Sequence, residues 1–211
     1  MKTMNLKIGL VLLILGMGAN SYAKKGDEAK ISEMKELKEA DGVKLTEVNY
    51  QVKVSATPEQ VWKVLAQYGN IASFHTGISA SSKVGTSADE VSMGCERSCT
   101  IYDGKRKIDI KERVTEIEDG KYYRYEVYEW TNFPLKKMFN GFGVRKDTEG
   151  NTILYQVQNY RLKPGFLTGM MKGKLKNGAR DTLILYKHFI ETGEKNADKE
   201  TVLKMEKYKN V

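Results

Sequence analysis

Between Phe166 and Ile190 the apolar residues Leu167, Met171, Leu175, Ala179, Leu183, Tyr186 and Ile190 recur at steps of three or four, the spacing of one face of an α-helix. The opposite face carries Lys172, Lys176, Arg180 and Lys187, so an apolar stripe can lie on a partner while the cations stay in water. Almost everything from Val43 to Leu162 alternates instead with period two, the signature of strands. One long helix beside many strands constrains the fold: the strands must close around it.

The strands read as Val43–Val54, Ile78–Val84, Glu96–Tyr102, Lys107–Ile117, Tyr122–Trp130, Met138–Arg145 and Thr152–Leu162. Asp103-Gly104, Asp119-Gly120 and Glu149-Gly150-Asn151 separate them, and such turns supply the positive φ that tight hairpins demand. Short connections imply antiparallel neighbours, giving a seven-stranded antiparallel sheet in an α+β fold. After the first strand, Thr57 reads as an N-cap with Pro58 at the first helical position and Gln60 three residues after the cap. The short helix it opens should stop before Gly69, with one more helical turn at Ile71–Phe74.

Before the sheet, Lys2 and Lys7 precede an apolar run from Ile8 to Ala19, and Ser21-Tyr22-Ala23 supplies small residues beyond it. This is the pattern of a cleavable signal peptide cut after Ala23; the run is short for the ~20 residues of a spanning helix. The expected mature protein is periplasmic or secreted. Removing two lysines and no acid lowers its formal charge from +8 to +6. Export and scattered lysines argue against nucleic acid, whereas transient contact with an anionic membrane surface suits the charge. The expected organisation is a signal peptide at 1–23, a charged, solvated leader at 24–42, a folded domain at 43–192 and a charged C-terminal tail at 193–211.

Cys95 and Cys99 are the two cysteines. On one extended strand they would stand about 13 Å apart, too far to bridge, so two semi-buried thiols are expected unless Cys95 sits in the turn before the strand. His75 and His188 have no cysteine or acidic neighbours at metal-ligand spacing. No nucleophile, base and orienting group stand together around a serine or cysteine, and no cofactor is implied.

The element order resembles the helix-grip fold of the START-like superfamily, which includes birch-pollen-allergen-like proteins, polyketide cyclases and abscisic acid receptors. The resemblance rests on Ser55-Ala56-Thr57-Pro58-Glu59-Gln60-Val61-Trp62, Met93-Gly94-Cys95-Glu96-Arg97, Asp103-Gly104 and Glu112-Arg113. It implies a curved sheet and a C-terminal helix holding a lipid or other hydrophobic small molecule; a cyclase or aromatase using an inward Glu as general acid or base is the alternative.

Alternation places Ile108, Ile110, Glu112 and Val114 on one face, with Tyr123, Tyr125 and Val127 beside them. Phe142 and Val144, then Ile153, Tyr155, Val157 and Asn159, are expected to complete a concave lining. An inward carboxylate is costly unless paired, protonated or solvated. Glu112 therefore either pairs with Arg97 or Arg161, or anchors a ligand through water, as the resemblance to abscisic acid receptors implies. His75 is either a cavity-mouth residue touching a ligand's acid group or a surface-loop histidine. The inward tyrosines either present hydroxyls to a ligand or serve as core. Met170 and Met171 suit an adaptable helix wall or fill ordinary core, and Met171 and Leu175 are expected to touch the ligand.

Overall fold

The computed structural model describes residues 32–209 and 211. The signal peptide expected at 1–23 and the expected leader up to residue 31 lie outside them.

Two short strands, β1 (Glu39–Ala40) and β2 (Val43–Lys44), pair with each other. The main sheet comprises β3 (Thr46–Val54), β4 (Ala80–Lys83), β5 (Glu96–Asp103), β6 (Arg106–Glu118), β7 (Tyr122–Trp130), β8 (Leu135–Lys146) and β9 (Thr152–Leu162). Its order is β3-β9-β8-β7-β6-β5-β4, antiparallel throughout. Six strands form a meander, and the first long strand closes against the last. Gly104, Gly120 and Gly150 all have positive φ (63°, 78° and 81°), the conformation that spares glycine the Cβ penalty at a hairpin tip.

Helix α1 (Pro58–Leu65) opens with a complete capping box. Gln60 N–H donates to Thr57 Oγ1 at 3.3 Å, and Thr57 N–H donates to Gln60 Oε1 at 2.8 Å. A 3₁₀ segment follows at Tyr68–Ser73. The long helix comprises α2 (Leu167–Met170) and α3 (Lys172–Thr192). Met171 between them keeps right-handed dihedrals and its carbonyl accepts from Leu175 N–H at 2.9 Å, so the stripe runs on unbroken. Ala179, Leu183 and Tyr186 are fully buried against the concave sheet, and Val61, Leu65, Tyr68 and Phe74 close one end of that core. The helix-grip architecture is as expected.

Both flanking segments depart from expectation. In the leader, Met34 is buried on the convex face of the sheet with Tyr122, Tyr155 and Val157. Glu33 N–H donates to Tyr155 Oη, and Arg124 Nη2 donates to the Lys35 carbonyl. β8 makes room with Gly141 and Gly143: a Cβ at 141 would overlap the Met34 thioether, and one at 143 the Tyr155 phenol. The leader was expected to be solvated, yet Met34 docks because two glycines of β8 make a socket for it. The presumed tail is also structured. Helix α4 (Lys199–Lys204), capped by Asp198, and a following 3₁₀ turn pack Val202 and Tyr208 on Ile184 and Leu185 of α3. The rear of α3, expected to face water, is therefore partly covered.

Cys95 precedes β5 and Cys99 lies within it; both are buried free thiols. Burial, reinforced by the nearby Glu112 carboxylate, pushes the Cys99 thiol up to about 12.

Candidate functional site

A cavity of about 330 Å³ lies between the concave sheet and the helix, near the lower end of the ~300–1,000 Å³ typical of small-molecule sites. Period-two alternation supplies its sheet side: Ile108, Ile110 and Glu112 from β6, Tyr125 and Val127 from β7, and Met138, Asn140 and Phe142 from β8. Met171, Leu175, Gly178 and Thr182 supply the helix side, at the steps that keep one helical face.

Glu112 and Arg97 stand directly opposite on β6 and β5. Arg97 Nε donates to Glu112 Oε2, and both side chains are almost wholly buried. Arg97 Nη1 also donates to the Tyr68 carbonyl at 3.0 Å, and its guanidinium lies over the Tyr68 and Tyr125 rings at 4.1 and 4.9 Å. The inward carboxylate thus pairs with Arg97 rather than Arg161 and also lines the cavity. Its partner, behind it in the wall, has hydrogen-bonding and cation–π support for the buried ion pair through Nε, Nη1 and the ring faces, while Nη2 is buried without a hydrogen-bond partner among the described residues.

His75 is a buried cavity-wall residue, not a surface one. Its Nε2 lies 3.1 Å from Thr182 Oγ1, and its ring meets Tyr186 edge-on. Burial lowers its pKa from 6.5 to about 4, so the ring is neutral at physiological pH. Without a ligand it therefore offers the cavity a hydrogen-bonding nitrogen rather than a cation.

Of the other expected lining residues, Tyr125, Met171 and Leu175 reach the cavity. Tyr123 points inward but is core, fully buried among Trp62, Tyr68 and Phe142. Tyr155 and Asn159 are corrected: Tyr155 packs under Met34 on the convex face, and Asn159 donates to Glu47 Oε2 at 3.1 Å. β9 turns its other row inward, with Gln156 and Gln158 lining the cavity. Phe142 pairs across with Gln156, Gly143 with Tyr155 and Gly141 with Val157, so an inward Phe142 requires an inward Gln156. Loop length fixes that parity. The chain reverses through residues 147–151, where the Asp147 carboxylate accepts from the backbone N–H groups of Glu149 and Asn151. A register change of one residue would exchange the faces of the whole strand.

Asn140 and Gln156, which sequence reasoning missed, join the expected Tyr125 in a polar chain across three strands. Asn140 Nδ2 donates to Tyr125 Oη at 2.7 Å, and Gln156 Nε2 donates to Asn140 Oδ1 at 3.0 Å. Tyr125, Asn140 and Gln158 share one cross-strand row. A signal was present in Gly141 and Gly143, whose missing side chains mark the face of β8 that a neighbour packs into.

Residues 46–183 match the model of a family described as polyketide cyclase / dehydrase and lipid transport. No curated protein matches the chain significantly. Among solved structures, that of Ara h 8.0201 superposes with a TM-score of 0.56 at 12% identity, covering 69% of this chain and 97% of that one. Ginseng major latex-like protein 151 from Panax ginseng gives 0.56 at 11% identity, covering 71% and 97%. The protein XoxI from Bacillus cereus gives 0.53 at 20% identity, covering 70% and 94%. Likeness at these identities is likeness of fold.

Proposed function

Because the chain belongs to the polyketide cyclase / dehydrase and lipid transport family, we propose that it is an exported, non-enzymatic carrier for a lipid or other hydrophobic small molecule held between sheet and helix. The observation that carries this reading is the cavity itself, apolar over most of its wall and furnished with a few convergent polar groups, as small-molecule sites are. The cyclase alternative asks Glu112 to take up a proton, yet the Oε2 of that carboxylate is engaged by Arg97. A fixed ion pair suits orientation better than proton transfer.

Export rests on the N-terminal pattern of Lys2, Lys7, the Ile8–Ala19 run and Ser21-Tyr22-Ala23. Collection of the ligand at a membrane surface is supported by the cavity rim. Tyr102 of the lining is 57% exposed, and Phe166 and Met170, outside the lining but preceding its Met171 on the helix, are 68% and 72% exposed. Lys163, Lys172 and Lys176 are exposed beside them. Apolar side chains rimmed by cations suit an anionic headgroup layer.

The test is native purification followed by organic extraction and mass spectrometry, with titration of an apolar fluorophore alongside. The proposal expects a co-purified apolar molecule, or saturable uptake of the fluorophore. Neither a ligand nor uptake would end it.

A further inference from the structure

Among the described residues, three cavity-lining side chains carry a buried polar atom without a hydrogen-bond partner: His75 Nδ1, Gln156 Oε1 and Gln158 Oε1. A buried polar group left unpaired costs ~1–3 kcal/mol, and several around one cavity call for a group that belongs there. The Tyr125–Asn140–Gln156 chain sharpens the demand. As placed, each amide donates towards Tyr125, leaving the Gln156 oxygen as the free end. With both amides turned over, Tyr125 would donate and the free end would be an N–H. A hydroxyl satisfies either arrangement because it donates and accepts, whereas a carboxylate only accepts.

Charge narrows the choice. Arg97 in the cavity wall is matched by Glu112, and His75, with Nε2 beside Thr182, is neutral. Lys174 and Lys199 border the cavity, and Lys174 is already held by Asp103 at 3.1 Å. Among the described residues lining the cavity, Lys199 is the one cation without an ion pair and is only half-buried, whereas Gln156 and Gln158 are buried. An ionised head carried to their depth would face the Glu112 carboxylate in the wall, and an uncompensated buried charge is strongly disfavoured.

We propose that the natural ligand is a neutral amphiphile bearing a hydroxyl group, a lipid alcohol in the broad sense, which enters hydroxyl first and hydrogen-bonds the Gln156–Gln158 row of β9. This rests on the carrier reading above and adds the head group and its orientation. Ionised fatty acids are poor ligands by the same argument.

The full chain, loaded with an apolar fluorophore, is titrated near neutral pH with decanol, its methyl ether and decanoate. Decanol should displace the fluorophore at a concentration about tenfold lower than either of the others, the worth of roughly one buried hydrogen bond. In Gln156→Leu/Gln158→Leu the margin of decanol over the ether should vanish, each competitor being measured against that variant's own fluorophore affinity. Decanoate or the ether matching decanol on the wild type, or the margin surviving in the double variant, would overturn the proposal. Should that variant fail to fold, the wild-type comparison still decides. A wild type that takes up no fluorophore defeats the carrier reading as well; one that binds it without head-group preference defeats this inference alone.

Discussion

Arg97 and Glu112 form a pair whose removal is asymmetric. Neither side chain exceeds 4% exposure, so deleting one charge strands the other in the wall, at a cost of about 3–5 kcal/mol for Glu112→Ala. Replacing both in Arg97→Met/Glu112→Leu should recover most of that loss, since a well-packed apolar pair avoids the desolvation term altogether. Urea unfolding of the two variants checks this, and equal losses in both would refute it. His75 gives a prediction in pH. Burial lowers its pKa from 6.5 to about 4, with Lys199 and Arg97 adding to the effect, so the unfolded chain takes up its proton at higher pH than the folded one. Stability is full above pH ~6.5 and falls by up to about 3 kcal/mol as pH drops towards ~4. Glu96, Asp103 and Asp109, whose pKa values are lowered by hydrogen bonds from Arg113, Arg106 and Thr100 respectively, lose their contribution only below their ordinary values near 4. The wild-type slope between pH 6.5 and 4.5 should therefore flatten in His75→Gln; an unchanged slope would assign it elsewhere. At this scale the sequence was informative about Glu112: parity turned it inward, and the Asp103-Gly104 hairpin sets Arg97 opposite it. His75 was not legible, because the burial of a loop histidine depends on the helix that covers it.

Among the elements, β9 shows where period-two reading stops. Its odd row, Ile153, Tyr155 and Val157, looks like the core face and is indeed buried, but on the convex side. Its even row places Gln156 and Gln158 in the cavity. A strand covered on both sides has no wet row to mark its orientation, and what decides the matter is a loop length and a leader docked from elsewhere in the chain. The helix was easier to read, since its spacing marks the buried stripe directly, although Ile184 and Leu185 on its rear required the last segment of the chain to explain them. The leader's role can be measured. Met34→Ala should cost about 2–3 kcal/mol by loss of a buried side chain on the convex face, while fluorophore uptake by the cavity on the opposite face stays unchanged. Gly143→Ala should disturb the same socket from beneath, because its Cβ would overlap both Tyr155 and Tyr122. Stability near wild type in Met34→Ala would mean that the leader does not hold this position in solution.

For the molecule as a whole, the carrier reading proposed above has to explain how an apolar ligand would cross water to reach a cavity with charged neighbours at its border. The cavity wall is apolar over most of its area, but Lys174 and Asp103 sit at its border as an ion pair joining the β5–β6 hairpin to α3. Tyr102 flanks that pair, while Phe166 and Met170 project from the beginning of the helix. Exposed large side chains so placed stabilise a soluble protein little, whereas burying each in an interface is worth up to about 2 kcal/mol. On the same proposal their lysine neighbours would draw this surface towards anionic lipid, an attraction of about 1 kcal/mol per cation that salt weakens. Rim docking would let the ligand pass between bilayer and cavity without meeting bulk water. The double variant Phe166→Ser/Met170→Ser should therefore bind the apolar fluorophore in solution as the wild type does, yet deliver it to phosphatidylglycerol-containing vesicles about tenfold more slowly. Wild-type transfer should also slow as salt is raised and on passing to purely zwitterionic vesicles. Transfer that is indifferent to the two substitutions, to salt and to lipid charge would mean that the ligand exchanges through water, and that the exposed rim has no part in carriage.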